Sequence, residues 1–126
     1  MARKLLVTLA LLLLIDTAGA VRVLEQAERP VELTLADLSL PAAGGSTISF
    51  SECATCGSST HRLTDQTVYK ANGHVVTLAD FLLVADEIRA NPNGAANAMA
   101  VVFLDIETGR ITRIELRGYS PARDSQ

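Results

Sequence analysis

From Val31 the chain alternates. Val31, Leu33 and Leu35 are apolar with Glu32 and Thr34 between them, and Leu38 and Leu40 resume the alternation on the opposite parity. Alternation with period two marks a half-buried strand. The parity change around Leu35-Ala36-Asp37 predicts a bulge or bend, so this stretch reads as one bent strand or two short ones. Pro41-Ala42-Ala43-Gly44-Gly45 combines proline with paired glycines and predicts a loop. In Ser46–Ser51, Ile48 and Phe50 point one way and Thr47, Ser49 and Ser51 the other, the cleanest strand pattern in the chain. Cys53–Thr60 reads as a loop. His61–Ala71 reads as a third extended segment, with Leu63, Val68 and Tyr69 as buried candidates and an interruption at Asp65-Gln66. Asn72-Gly73 favours a type I′ turn, since both positions tolerate positive φ, and Val75-Val76 is the short return strand.

The period then changes. Thr77-Leu78-Ala79-Asp80 carries a helix start, with Thr77 as cap and Asp80 reaching back in the manner of a capping box. Leu78, Phe81, Leu82, Ala85 and Ile88 fall on one face at helical spacing, widened by Leu83 and Val84, and Asp86, Glu87 and Arg89 form the wet face. Asn91-Pro92-Asn93-Gly94 ends the helix. Ala98–Ile106 is so continuously apolar that it predicts a central strand covered on both faces. Glu107-Thr108-Gly109 fits a three-residue hairpin loop with glycine in the left-handed position. Arg110–Arg117 is the partner strand, with Thr112, Ile114 and Leu116 inward and Arg113, Glu115 and Arg117 outward. The order β-β-β-α-β-β is that of a small OB-like five-stranded barrel plugged by one helix. The alternative is an open antiparallel sheet with the helix packed on one side.

The first twenty residues read as an address. Arg3 and Lys4 precede the eleven-residue run Leu5–Ile15, broken only by Thr8, and Ala18-Gly19-Ala20 supplies small residues at a cleavage site. This is the pattern of a secretory signal peptide cleaved after Ala20. A membrane span needs about 20 apolar residues, and Asp16 ends the run too soon. The expected organisation is a signal peptide at 1–20, an arm at 21–30, one domain at 31–118 and a disordered tail at 119–126, in the periplasm or secreted. Setting aside Arg3, Lys4 and Asp16 leaves nine basic and thirteen acidic residues, a formal charge of −4. An acidic chain without a basic cluster argues against nucleic acid and against an anionic membrane surface as partners. Phe50, Tyr69, Phe81, Phe103 and Tyr119 are the only aromatics, too few for a stacking platform.

Several stretches together resemble a family. Thr67-Val68-Tyr69, the run Asn72–Phe81, Val102-Phe103-Leu104-Asp105 and Thr108–Leu116 look like small exported proteobacterial domains of unknown function with an OB-like barrel. The resemblance spans 31–116. It implies that fold and export, and it brings no catalytic residues.

Chemistry beyond packing is concentrated in Ser51-Glu52-Cys53-Ala54-Thr55-Cys56-Gly57, which holds both cysteines of the chain. In an oxidising compartment two cysteines ordinarily pair, so a Cys53–Cys56 disulfide is expected. Three other readings stand beside it. A thiol–disulfide oxidoreductase would place the first cysteine at a helix N-terminus, whereas Gly57-Ser58-Ser59-Thr60 follows here and Glu52 would raise the thiol pKa. A zinc or copper site would draw on Cys53, Cys56, His61 and His74, with Met99 as a further soft ligand, though the spacing is not that of a zinc finger. Intermolecular disulfides or modified thiols are the last. No Gly-rich phosphate loop and no Gly-x-Ser-x-Gly elbow is present, so an enzyme is not expected and no cofactor is implied. The expected function is a non-enzymatic envelope protein that binds a protein or small-molecule partner. By analogy with OB folds, its surface would be Thr47, Ser49, Ser51, Thr55, His61 and Arg62 around the cysteine loop. The rival is thiol-redox or metal handling through Cys-x-x-Cys.

Overall fold

The computed structural model describes residues 27–42 and 44–119. The expected signal peptide at 1–20, most of the arm and all but the first residue of the tail lie outside the described residues. Seven strands, one long helix and one short helix follow in order: β1 (Glu28–Thr34), β2 (Thr47–Ser51), β3 (Ser58–Arg62), β4 (Val68–Ala71), β5 (His74–Val76), α1 (Leu78–Ala90), α2 (Gly94–Asn97), β6 (Met99–Asp105) and β7 (Ile111–Arg117). The fold is mainly β with one main helix.

Five strands form one sheet in the order β1-β6-β7-β4-β5, and β2 and β3 form a separate two-stranded ribbon. Most pairs are antiparallel, but β4 runs parallel to β7. A parallel pair needs a long crossover, and here β5, α1, α2 and β6 supply it. No closed barrel is found among the described residues. Closure requires the edge strands to pair, whereas β1 pairs only with β6 and β5 only with β4. The open sheet fits the pairing, except that the parallel β4–β7 pair departs from the all-antiparallel version.

Two local events explain the difference. The parity change after Leu35 is a 3-10 turn over Leu35–Asp37, not a bulge, and it swings the chain off the sheet edge. The chain then pairs with β2 at the isolated Ser39–Ser49 bridge. The single extended segment expected over His61–Ala71 is two strands broken by a turn, in which Thr67 N–H donates to Thr64 O at 3.1 Å. Ser58–Thr60, expected in the loop, belong to β3. The chain therefore places β3 on the ribbon and β4 in the main sheet.

One core joins the layers. Val31, Ala100, Val102, Leu104, Ile114 and Leu116 from the main sheet meet Phe81, Ala85 and Ile88 of α1 and Ile48 and Phe50 of the ribbon. Tyr69 and Phe81 lie 5.5 Å apart between ring centroids, a tilted pair at the sheet–helix contact. The start of α1 is as the sequence predicts, with Asp80 N–H donating to the Thr77 hydroxyl at 3.2 Å. Asn72 and Gly73 both take positive φ, and Gly109 sits left-handed in the β6–β7 hairpin. Leu83 does not widen the buried face; it is 67% exposed. A register shift at Phe103/Leu104 turns Ile111 inward and leaves Thr112 half-buried, donating to Phe103 O. Pro30, expected in the arm, lies inside β1, and Tyr119, expected in the tail, packs on the core.

Candidate functional site

The ribbon has two faces because β2 and β3 both alternate. Thr47 stands opposite Arg62, Ser49 opposite Thr60 and Ser51 opposite Ser58. Five hydroxyls and one guanidinium therefore share the outer face, with Ser49 Oγ and Thr60 Oγ1 2.9 Å apart. Ile48 and Phe50 anchor the other face in the core.

His61 lies on that inner face, not with Thr47, Ser49, Ser51 and Arg62. Its ring stacks on Phe50 at 4.9 Å between centroids and 14° between planes. Its Nε2 is 3.0 Å from Ser59 Oγ, which also reaches Phe50 O at 3.3 Å. Sequence reasoning missed this Ser59–His61 pair. The i, i+2 spacing that puts both side chains on one face was available only once Ser59 was known to be in a strand. The same contacts that bring the two together also hold them against the ribbon backbone.

Between the strands, Cys53 and Cys56 form a disulfide with Cα atoms 5.0 Å apart. Cys56 N–H donates to Cys53 O at 3.1 Å across the same turn. Thr55 Oγ1 lies 3.6 Å from Cys53 Sγ. Every residue from Glu52 to Ser58 is exposed, so the loop is shaped by its own cross-link and not by burial. With both sulfurs in the bond, neither cysteine is a thiolate ligand. His74 is on β5, at the opposite end of the main sheet from β1. Among the described residues no group of three or more His, Cys, Asp or Glu side chains is placed to hold a metal ion.

The loop is fastened to the main sheet by a fork. Arg29 Nη2 donates to Glu52 Oε1 at 2.9 Å and Nη1 to Oε2 at 3.2 Å. Paired geometry of this kind suits guanidinium and carboxylate. The hydrogen bonds from Arg29 hold the Glu52 carboxyl below the usual carboxylate range, against an opposing effect of burial, and the same bonds raise the Arg29 guanidinium.

Two grooves flank the loop. One, of about 710 Å³, is lined by Glu32, Leu33 and Thr34 of β1, by Glu52, Cys53 and Ala54 of the loop, and by Ala96–Met99. The other, of about 570 Å³, lies between Asp37–Leu40 and Ser49–Ser51, with Ser58 and Arg89. Arg89 is committed to structure there, since its Nη2 donates to Leu38 O at 2.9 Å.

A second polar cluster covers the far face of the main sheet. Glu115 sits buried between Arg113 and Arg117, with Arg113 Nε 2.7 Å from Glu115 Oε1 in an ion pair not aligned as a hydrogen bond. The Arg113 guanidinium also lies 3.9 Å above the Phe103 ring. This ladder roofs Val101 on the face that no described helix covers. Comparison of the chain with protein-family models, with curated proteins and with solved structures gave no match.

Proposed function

We propose that this is an exported, non-enzymatic envelope protein, a small module that binds a partner through the surface around the Cys53–Cys56 loop. The observation that carries the reading is the loop itself. It is wholly exposed, yet it is cross-linked by a disulfide and forked to β1 through Arg29–Glu52. A loop fixed in shape while making almost no contribution to the core is preorganised for contact, because little further ordering is needed on binding. The grooves on its two sides offer concave surface next to it. Export is supported by the leader pattern of residues 1–20, by the family resemblance and by the disulfide, which persists in oxidising compartments. No described helix is long and apolar enough to cross a membrane.

The test is site-specific photo-crosslinking of the exported protein in cells, with the probe at Thr55, Arg62 or, as a control on the far sheet face, Lys70. Adducts from Thr55 and Arg62 but not Lys70 are expected. Adducts only from Lys70, or from none of the three, would sink the reading. Thiol redox is the second reading, favoured by the exposure of both cysteines. A protein that catalyses insulin reduction, and loses this on Cys53→Ser, would replace the binding module with it.

A further inference from the structure

Among the described residues β1 is an edge strand, with an identifiable set of main-chain groups that none of them pairs with. Leu35 N–H donates to Ala98 O and Ile106 N–H to Ala27 O, so odd-numbered residues of β1 turn their main chain toward β6. Even-numbered residues turn outward. This is why Pro30, which has no N–H, fits inside the strand. The N–H and C=O of Glu32 and the N–H of Thr34 therefore point away from the sheet, while the Thr34 carbonyl is taken by the 3-10 turn that follows. This stretch lines the groove of about 710 Å³, across from Cys53 and Ala54.

Exposed edges of this kind are ordinarily blunted. Pro30 blunts the first half of β1 and the 3-10 turn ends it, which leaves a short open segment at Glu32–Thr34. The loop does not close that segment; the Arg29–Glu52 fork holds it alongside as a rail. The groove also carries charge. Glu32 and Asp37 line it as carboxylates, and Glu52, the third, is matched by Arg29. A second copy of this chain is a poor occupant, because antiparallel β1–β1 pairing here would bring Glu32 and Asp37 of both copies into one groove, and like charges across strands destabilise.

We propose that the edge of β1 at Glu32–Thr34 takes up a short extended segment of a partner protein by strand addition, with basic side chains of that segment meeting Glu32 and Asp37. This rests on the binding-module reading and names its mode and the chemistry of its partner. Main-chain pairing supplies affinity in strand addition, and the groove supplies side-chain selectivity.

The probe is an alternating valine–lysine octapeptide titrated into isotope-labelled protein, read by amide hydrogen exchange. The amides of Glu32 and Thr34 gain protection and no others on a free edge do. A valine–glutamate octapeptide binds at least about tenfold more weakly, from charge repulsion in the groove. Glu32→Pro removes one outward N–H without touching the β1–β6 ladder, and Glu32→Lys reverses the charge; each weakens the valine–lysine peptide about tenfold while the thermal midpoint holds. Protection appearing on β3 or β5 instead, equal binding of the two peptides, or a dimer that protects Glu32 and Thr34 without peptide would overturn the proposal. Absence of peptide binding together with Thr55 and Arg62 crosslinks would overturn strand addition and leave the binding module standing. Loss of both would overturn both.

Discussion

Replacing Cys53 and Cys56 together by serine isolates what the disulfide does, because the native loop has so little else to lose. The cysteines are three positions apart. For a ring this short, the loss of chain entropy in the unfolded state amounts to about 2 kcal/mol. On the native side the loop residues are exposed, so neither a cavity nor a buried polar group is created. The turn keeps its Cys56 N–H to Cys53 O bond, and the ribbon keeps Ile48 and Phe50 in the core. The Arg29–Glu52 fork loses some of its order, but its side chains are 50% and 38% exposed, so solvent screens the pair. The expected loss is therefore about 2 kcal/mol, which for a domain of this size lowers the thermal midpoint by about 8–16 °C. Urea unfolding at neutral pH measures it, with the reduced wild type as a second reference. The midpoint moves and the slope holds, since the folded surface is unchanged and so short a ring hides little surface in the unfolded chain. A loss above about 4 kcal/mol would show that the loop is packed in the native state, contrary to its exposure. An unmoved midpoint would show that the ring does not constrain the unfolded chain.

The remaining predictions probe the frame that carries the loop. Phe81→Ala empties the centre of the sheet–helix contact, where Phe81 is 0% exposed, and is expected to cost about 3–5 kcal/mol by urea unfolding. Gly94→Ala places a Cβ 2.0 Å from the Ile88 carbonyl oxygen, a main-chain clash that no rotamer relieves, so a loss of at least about 2 kcal/mol and a displaced α1–α2 junction are expected. Acid is expected to weaken the fold in part through Glu52 and Asp105. Hydrogen bonds from Arg29 lower the first, and the Thr108 N–H, then the Thr108 hydroxyl, lower the second. A carboxyl lowered in the folded state stabilises above its unfolded pKa, and that contribution disappears as pH falls through the folded value. Stability of Glu52→Gln and Asp105→Asn should accordingly fall less steeply than wild type below the ordinary carboxylate range, in urea melts run at stepped pH. Equal slopes would show that neither carboxyl gains from folding.

Most elements were legible because local chemistry decided them. Thr77 caps α1, Asn72-Gly73 and Gly109 turn the hairpins, and the apolar run over Ala98–Ile106 makes β6 central, between β1 and β7. The failures share one cause. Alternation reports which side of a strand is wet, not which strand it joins. The breaks at Leu35–Asp37 and Thr64–Thr67 leave the parity signal almost intact, yet each moves the following strand into a different sheet. Assigning one extended segment over His61–Ala71 therefore suggested a barrel wall, where the chain instead crosses from the ribbon to the parallel partner of β7. Glu115 misled in the opposite sense. Its strand pattern faces it outward, and it does face outward, but Arg113 and Arg117 cover it.

The cysteine loop was legible as a chemical centre and illegible as a place. Its spacing and the expected compartment announced the disulfide. Nothing in Glu52 announced Arg29, which is 23 positions away and becomes a neighbour only because β1 ends the sheet beside the ribbon. The hydroxyl face of the ribbon is likewise separate from His61. Along the sequence Thr47, Ser49, Ser51, His61 and Arg62 make one polar set; in the fold the ribbon's own alternation sends His61 to Phe50 and the others to solvent. The proposed binding surface is thereby shifted from the middle of the ribbon toward its junction with β1. There a fixed loop, a short open strand edge and two carboxylates meet, and substitutions at Glu32 should matter more to a partner than substitutions at His61.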